Sequence, residues 1–252
     1  MAARKRATRS YSTLALLLRR TPYRDADLVL CLFTEQLGQV SALARAARKS
    51  QRRFGGSLEP FHTLHVELEE ASNAELMTLE TAHISAPRAH LYEHLESMEA
   101  AGKFSSWIRH ASPAHTPEPQ LWALAQSCMD RLDAVARTRG DGDAGAANAR
   151  ARLVLVAHGL WLLSTSGWRL ELEFCVQSGT RCPDGKAAMV DPERGGLVSR
   201  SEGGAPFVVS GPARRRLIAA QAGQMDVLEP ADAELGLELV ERCLRAHAGL
   251  ER

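Results

Sequence analysis

The chain has 252 residues, and its 45% hydrophobic content is enough for a substantial core in one large or two ordinary domains. The formal net charge of +1 hides an asymmetry, because residues 1–60 hold twelve lysines and arginines against four acidic residues. The remainder is therefore acidic, which argues against coating of a polyanion by the whole molecule. Five scattered cysteines lack the spacing of a disulfide framework and predict a reducing compartment.

The first third of the chain has the alternation of apolar and polar residues that is typical of short strands. Five such segments predict an OB-fold barrel over residues 11–85, preceded by a basic N-terminal arm at residues 1–10. The segments lie at residues 14–18, 28–33, 40–43, 61–69 and 75–84.

An apolar run near the N-terminus superficially imitates a signal peptide. Residues 14–18 are only five in number and are followed at once by Arg19 and Arg20, so we interpret them as a first strand. No stretch is long enough to span a bilayer. We therefore expect a cytoplasmic protein with no membrane partner.

A concentrated basic run lies between two of the predicted strands. Residues 45–53 contain five cations, and Phe54 and two glycines follow. Such a loop suits single-stranded nucleic acid, because cations can track the phosphates while a barrel face offers stacking surface. The alternative is a solvated loop that keeps a barrel edge soluble.

The first predicted turn places Tyr23 between Arg20 and Arg24. The ring could stack a base, or it could cap the barrel while Asp25 and Asp27 neutralise the arginines. The turn and the basic run together supply the predicted nucleic-acid contacts. These are Arg20, Tyr23, Arg24, Arg45, Arg48, Lys49, Arg52, Arg53 and Phe54.

The rest of the chain predicts helices around an irregular insertion, and hence an α+β fold class. Apolar residues recur every three or four positions through residues 86–170, with Leu95 on the apolar face, and residues 149–164 should form the most buried helix. Residues 171–209 are rich in glycine, proline and turns and predict an inserted loop or small knuckle. Residues 210–252 return to helices that complete the helical domain.

Motifs for catalysis are missing from the sequence, which has no nucleophile elbow, phosphate loop or dinucleotide fingerprint. His90, Glu93 and His94 match the H-x-x-E-H pattern of inverted zinc peptidases, which on a helix places both histidines on one face. Exposed positions of an amphipathic helix explain the same pattern. A metal-dependent hydrolase using these three residues is thus one alternative function.

Three adjacent arginines at residues 214–216 open a later helix. They could contact a second nucleic-acid strand. We favour the alternative that this surface faces the acidic part of its own chain, because the sequence beyond residue 60 is acidic.

The order of a basic OB-like domain, helices and a glycine-rich insertion resembles the RecO family of recombination mediators, and the resemblance covers the chain almost from end to end. The residues that carry it are Ala15 to Leu18, Arg19, Arg20, Tyr23, Asp25, Asp27, Phe33, Thr34, Gly38, Ala44 to Ala46, Arg48, Leu58 to Phe61, Trp168 to Leu170, Cys175, Asp191, Pro192 and Gly195 to Val198.

The resemblance implies a mediator that binds single- and double-stranded DNA and anneals complementary strands. It implies partners: RecR, the C-terminal tail of the single-strand binding protein SSB, RecA, and RecF as a further candidate. The implied protein is cytoplasmic and nucleoid-associated, and it is not an enzyme. A non-annealing adaptor for RNA or for a protein remains the alternative, distinguished by its preference for RNA or by the absence of annealing.

Many RecO-like proteins hold zinc with two Cys-x-x-Cys pairs in the insertion, so the resemblance implies that residues 171–209 are a Cys-poor, zinc-knuckle-like insertion. Here Cys175 keeps the first position, while Ser178, Ser199 and Glu202 stand at the other three. Because tetrahedral structural zinc needs four good ligands, we expect no metal and no other cofactor.

Overall fold

The computed structural model describes residues 9–70, 76–138 and 144–250. Most of the predicted basic arm (residues 1–8) and the first residue of the fifth predicted strand (residue 75) lie outside these ranges. The chain divides into two compact units. The barrel unit comprises Met1–Ala89 and Ser112–Met129, and the helical unit comprises His90–Ala111 and Asp130–Arg252.

The barrel unit contains a closed five-stranded barrel, which confirms the predicted OB-fold. The strands pair in the order β1-β2-β3-β5-β4, and β4 returns to β1. Alternate side chains such as Leu30, Leu64 and Leu79 point inward and are fully buried. The elements are β1 Ser10–Tyr23, β2 Asp27–Thr34, β3 Gly38–Ala44, the short helix α1 Gln51–Phe54, β4 Thr63–Glu69 and β5 Met77–Ala86.

Helices make up most of the remaining described chain. The fourth, α4, carries buried side chains on almost every face, which confirms the prediction of a central helix. Among the described residues no helix is both long and apolar enough to cross a membrane. The helices are α2 Leu95–Ala111, α3 Pro119–Arg137, α4 Ala144–Thr165, α5 Gly211–Gln221 and α6 Ala233–Ala248.

A β-bulge interrupts β1 at Leu18. Leu17 pairs with Leu32 and Arg19 pairs with Cys31, so Leu18 is an extra residue in the ladder. The bulge marks the point at which β1 passes from the core to the surface, because Leu17 and Leu18 are buried whereas Arg19 is exposed. Beyond it, β1 continues as one arm of a hairpin with β2.

Strand β3 begins at a glycine that no other residue could replace without a shift of the backbone. Gly38 has φ +67°, and a Cβ atom there would lie 1.9 Å from the carbonyl oxygen of Thr116. Next to it, the N–H of His115 donates to the carbonyl oxygen of Gln39 at 2.9 Å. The segment that precedes α3 is thus held directly against the start of β3.

A buried guanidinium group ties the barrel to α3. Arg88 is 2% exposed, and its Nη1 donates to the carbonyl oxygen of Phe61 at 2.8 Å and to Oγ1 of Thr63 at 3.0 Å. Its Nη2 donates to Oε1 of Gln126 at 2.7 Å. Its backbone N–H donates to Nδ1 of His62 at 2.9 Å. Arg88 therefore joins the chain after β5, the start of β4 and the first half of α3.

The substitution Arg88→Met should lower the free energy of unfolding of the barrel unit by about 3 kcal/mol, because it leaves several buried acceptors unpaired. Urea-dependent hydrogen exchange of the β4 amides measures this unit by itself. Arg19→Met is the control, since an exposed arginine should contribute no more than about 0.5 kcal/mol. Equal losses in the two variants would contradict the structural role of Arg88.

Residues 171–209 contain a small antiparallel sheet in the order β7-β6-β8. Its strands are β6 Ala188–Asp191, β7 Gly196–Leu197 and β8 Phe207–Val209. The sequence predicted only an irregular insertion here, because strands of two to four residues are too short to show a period.

The first arginine of α5 holds this insertion in place. Arg214 is buried, its Nη1 donates to the carbonyl oxygen of Leu172 at 2.8 Å, and its Nη2 donates to that of Pro183 at 2.6 Å. Arg216 forms two hydrogen bonds to the Asp232 carboxylate, at 2.6 and 2.9 Å. Only Arg215 of the three adjacent arginines is exposed. Arg216 thus binds an acidic residue of its own chain, as the favoured interpretation predicted, whereas Arg214 binds backbone carbonyl oxygens.

The positions that correspond to zinc ligands in the RecO family do not fit a zinc site. Ser178 and Ser199 both hydrogen-bond to Cys175, and the N–H of Ser199 donates to Sγ of Cys175 at 3.3 Å, whereas Glu202 is exposed. One thiol with two hydroxyls and a carboxylate is a poor set for tetrahedral zinc. Within the described ranges, no three His, Cys, Asp or Glu side chains group as metal ligands.

A fully buried histidine lies on α4 in the helical unit. The Nδ1 atom of His158 lies 2.8 Å from the carbonyl oxygen of Val154, to which it donates as an N–H, and the ring meets Phe104 edge-on. Burial lowers the pKa of His158 to about 4, and the hydrogen bond to Val154 only partly opposes this. The folded protein therefore keeps this imidazole neutral well below the ordinary pKa of histidine.

Acid should destabilise the helical unit through His158. Between pH 6.5 and pH 4 the unfolded chain binds a proton that the folded chain does not, so stability is fully present above pH 6.5 and is lost as the pH falls through about 4. The loss amounts to about 3 kcal/mol. Urea denaturation at several pH values should show a shallower dependence for His158→Gln. The exposed His247→Gln control should keep the dependence of the parent chain, and a parent-like slope in His158→Gln would contradict the assignment.

Candidate nucleic-acid interface

The first turn of the barrel and the basic run lie side by side, although about twenty residues separate them in sequence. The N–H of Arg48 donates to the carbonyl oxygen of Ala26 at 3.1 Å, and the N–H of Ala46 donates to Oδ1 of Asp27 at 2.8 Å. The guanidinium of Arg48 also reaches the carbonyl oxygen of Asp25 at 3.4 Å. These bonds join the β1–β2 turn to the loop after β3.

Both segments contain a residue in the left-handed backbone region, where side chains are disfavoured. Arg24 has φ +52° and Ala46 has φ +53°. Such a conformation costs on the order of 1 kcal/mol per residue and persists only where the surroundings hold it. At Ala46 the Asp27 carboxylate supplies that constraint by accepting its N–H. Asp27 therefore mainly fixes the backbone conformation of the basic loop.

Side chains of the loop and of the β1–β2 turn are exposed to solvent. Arg45, Arg48 and Lys49 are exposed. Tyr23 is 42% exposed, and the guanidinium of Arg24 lies 5.0 Å from the centre of its ring. We call these five residues the basic end of the barrel. It combines four positive charges with one accessible aromatic ring, the pairing that a single nucleic-acid strand requires.

Other predicted contacts are engaged elsewhere in the barrel unit. Arg20 donates to Oε1 of Glu59 at 2.6 Å and to the carbonyl oxygen of Leu58 at 3.0 Å. Arg53 donates to the carbonyl oxygen of Arg45 and thus braces the loop. The side chain of Arg52 lies outside the part of the chain that the structure describes.

The prediction that Phe54 stacks a base is corrected by its burial. Phe54 is 2% exposed and belongs to the barrel core, where Leu58 packs in the same cluster. The ring closes the barrel from the short helix α1, and the guanidinium of Arg53 lies 5.0 Å from its centre. A base could not reach this ring without opening the core.

The structure adds Arg19, which was not among the nucleic-acid contacts predicted from the sequence. Arg19 is exposed and pairs across the sheet with Cys31, which in turn pairs with Ser41. Thr21, Val29 and Leu43 form the next row on this outer face. The adjacent arginine pair was visible in the sequence, but the bulge that sets the orientation of Arg19 was not.

The outer face of the barrel, formed by β1, β2 and β3, is covered at one end by α3. The ring of Trp122 from α3 lies 5.8 Å from that of Phe33, the residue that follows Leu32 on β2. The uncovered part runs from Arg19 towards the basic end along β1 and β2. The loop between β4 and β5, which flanks the binding face in many OB-folds, includes residues 71–75, which lie outside the described ranges.

The H-x-x-E-H pattern does not form the predicted helical pair. His90 lies in a 3-10 helix at Ala89–Tyr92, and His94 precedes the first residue of α2. Leu95, predicted to lie on the apolar face, is exposed. His90 instead contacts Asp133, with 3.1 Å between Nδ1 and Oδ2. The helix begins only at Leu95, although the predicted helical pattern starts at residue 86, so the spacing no longer places both histidines on one helical face.

The loop should open when its acidic anchor is removed. Asp27→Ala removes the acceptor for the Ala46 N–H, a loss of about 1 kcal/mol, so trypsin should cleave after Arg45, Arg48 and Lys49 about fivefold faster. Asp25→Ala is the control, since it makes the same change of charge and keeps the backbone carbonyl that Arg48 reaches. Equal cleavage rates in the two variants would show that Asp27 does not hold the loop.

Comparisons with known proteins identify relatives of the chain. The family model Recombination protein O N terminal matches residues 9–88. The DNA repair protein RecO of Anaeromyxobacter sp. (strain Fw109-5) is 32% identical over 246 residues, which cover 93% of this chain and 90% of the relative. The protein of the same name from Anaeromyxobacter sp. (strain K) is 31% identical over 76% of this chain and 70% of its own. That of Myxococcus xanthus (strain DK1622) is 36% identical over about half of each chain.

Proposed function

Because this chain belongs to the RecO family, we propose that it is a recombination mediator in DNA repair. It binds single- and double-stranded DNA, anneals complementary strands and, with RecR, promotes the loading of RecA onto DNA coated with SSB. The observation that carries this proposal is the basic end of the barrel, where two segments distant in sequence present four cations and an exposed ring.

The geometry of the basic end suits contacts to the DNA backbone. Arg45, Arg48 and Lys49 project from one loop, and each can neutralise a phosphate without reading a base. Tyr23 offers a stacking surface that tolerates any sequence, since every base has an aromatic face. A strand held by its phosphates keeps its base edges accessible to a second strand. Annealing needs that accessibility, and phosphate tracking supplies it.

The proposed role requires partners and no cofactor. We propose RecR, the SSB tail and RecA as partners, with RecF as a further candidate, and action in the cytoplasm at the nucleoid. The chemistry is non-covalent, because strand pairing needs only binding and release.

Annealing of complementary oligonucleotides coated with SSB tests the proposal. The variant Arg45→Ala, Arg48→Ala, Lys49→Ala should lose most of its annealing rate. The matched control carries Arg137→Ala, Arg152→Ala and Arg215→Ala, three exposed arginines beyond the barrel that make the same change of charge. Annealing should persist in the control. If both variants slow equally, net charge rather than the basic end is responsible.

Salt dependence separates phosphate contacts from other contributions. Each phosphate contact to a single strand contributes a slope of about −0.7 in a plot of log affinity against log salt, so the triple loop variant should lose about 2 from the slope. If the parent chain binds without annealing, or prefers RNA, the protein is an adaptor and not a mediator.

A further inference from the structure

Two histidines lie directly opposite each other on the solvent-exposed side of β4 and β5. His65 of β4 pairs with His83 of β5 in the antiparallel ladder, and both residues are exposed. Directly opposed residues in such a ladder have Cβ atoms about 4.5–5.5 Å apart. Two imidazole nitrogens that bind one tetrahedral metal ion, each about 2.0–2.1 Å from it, are about 3.3 Å apart. Rings attached to neighbouring Cβ atoms can reach that separation.

The backbone beneath the two histidines is regular and is paired on both sides of β4. Residues 64–67 of β4 pair in register with residues 81–84 of β5, and the register shifts only at the two ends of this stretch. On its other side β4 pairs with β1 from Thr63 to Glu69. Sites built on paired strands hold their ligands more precisely than sites on loops. The two rings are therefore held next to each other before any ion binds.

A hydroxyl group on β1 orients one of the two rings. Oγ of Ser12 lies 3.0 Å from Nε2 of His65. The hydroxyl can accept an Nε2–H, and that tautomer leaves the lone pair of Nδ1 free to bind a metal. Histidines that bind metals in proteins commonly donate their other ring N–H to a neighbouring oxygen in this way. Ser12 supplies such an oxygen to His65.

The charge around the two histidines favours a cation. Glu67 lies two residues along β4, and hence on the same side of the sheet, and its carboxylate accepts a hydrogen bond from Oγ1 of Thr81 at 3.0 Å. Ser12, Leu14 and Thr81, which pair with this part of β4, carry no charge. Among the described residues, no third histidine, cysteine or carboxylate completes a group of metal ligands with this pair. The chain thus offers two ligands and a nearby negative charge.

We propose that His65 and His83 together bind one divalent late transition-metal ion, such as Ni²⁺, Cu²⁺ or Zn²⁺. Imidazole nitrogen suits these ions, whereas Mg²⁺ and Ca²⁺ prefer oxygen ligands. Water fills the remaining coordination positions. The bound ion joins β4 to β5 and stabilises the folded barrel unit, because the unfolded chain does not hold the two rings together. The site goes beyond the proposed mediator role, which needs no metal, and none of its residues belongs to the basic end.

Isothermal titration of Ni²⁺ into the full chain, without a histidine tag, tests this proposal. We expect a dissociation constant on the order of 10 µM. His65→Gln and His83→Gln should each weaken binding at least about tenfold, and the double variant should bind no more weakly than either, because one imidazole alone cannot chelate the ion. His247→Gln, which replaces an exposed histidine of the helical unit, should bind as the parent does.

Hydrogen exchange locates the ion within the fold. An ion that binds only the folded state, at about ten times its dissociation constant, slows exchange through unfolding about tenfold. We expect this protection at the β4 and β5 amides that exchange by unfolding of the barrel unit. The variant His83→Gln should lose the protection, and His247→Gln should keep it.

Three outcomes would overturn the proposal. They are no binding of Ni²⁺ up to about 1 mM, parent-like affinity in either single variant of the pair, and protection by Ni²⁺ that is confined to the helical unit. Parent-like affinity with half the stoichiometry would show that each histidine binds a separate ion. None of these results depends on whether the basic end anneals strands.

Discussion

A buried guanidinium group bonded to backbone carbonyl oxygens is the interaction on which each unit of this protein depends. In the barrel unit Arg88 joins the start of β4 to the first half of α3, and in the helical unit Arg214 joins the loops at Leu172 and Pro183 to α5. Arginine suits this task because its planar fork of donors reaches several acceptors at once. Loop carbonyls that would otherwise be buried and unpaired are satisfied by one side chain from a neighbouring element. In the helical unit that side chain anchors the insertion at residues 171–209 to α5.

The number of basic residues in a cluster of this sequence does not tell how many of their side chains are exposed in the structure. Arg20, Arg53 and Arg216 belong to basic clusters in the sequence, yet each is bound to oxygen atoms of its own unit. Arg45, Arg48 and Lys49 remain exposed, because hydrogen bonds through backbone groups shape their loop and leave the charged ends in solvent. A loop that is rigid in its backbone and open in its side chains lets an extended polyanion bind with little loss of conformational entropy.

The barrel was predictable because apolar and polar residues alternate in its strands. The central helix was predictable because apolar residues lie on nearly every side of α4. The basic end was predictable only as two separate segments, since nothing in the sequence shows that Asp27 accepts the N–H of Ala46. Phe54 was misjudged because a ring next to a basic run resembles a stacking residue, whereas its burial follows from closure of the barrel by α1. The late start of α2 and the bonding of Arg214 depend on packing between distant segments, which periodicity does not report.

The unpaired residue of the bulge in β1 also bears on how the chain can change in length. Leu17 and Arg19 already pair with adjacent residues of β2, so loss of Leu18 would leave both flanking registers intact. Almost any other single-residue deletion in a barrel strand would shift the pairing by one and turn the inward side chains outward. Position 18 is therefore one place where a gap would be tolerated in comparisons among relatives, as are the two unpaired positions Glu80 and Ser85 of β5. A gap at position 18 would straighten β1 and change the direction in which its arginines leave the sheet, with the barrel otherwise unaltered.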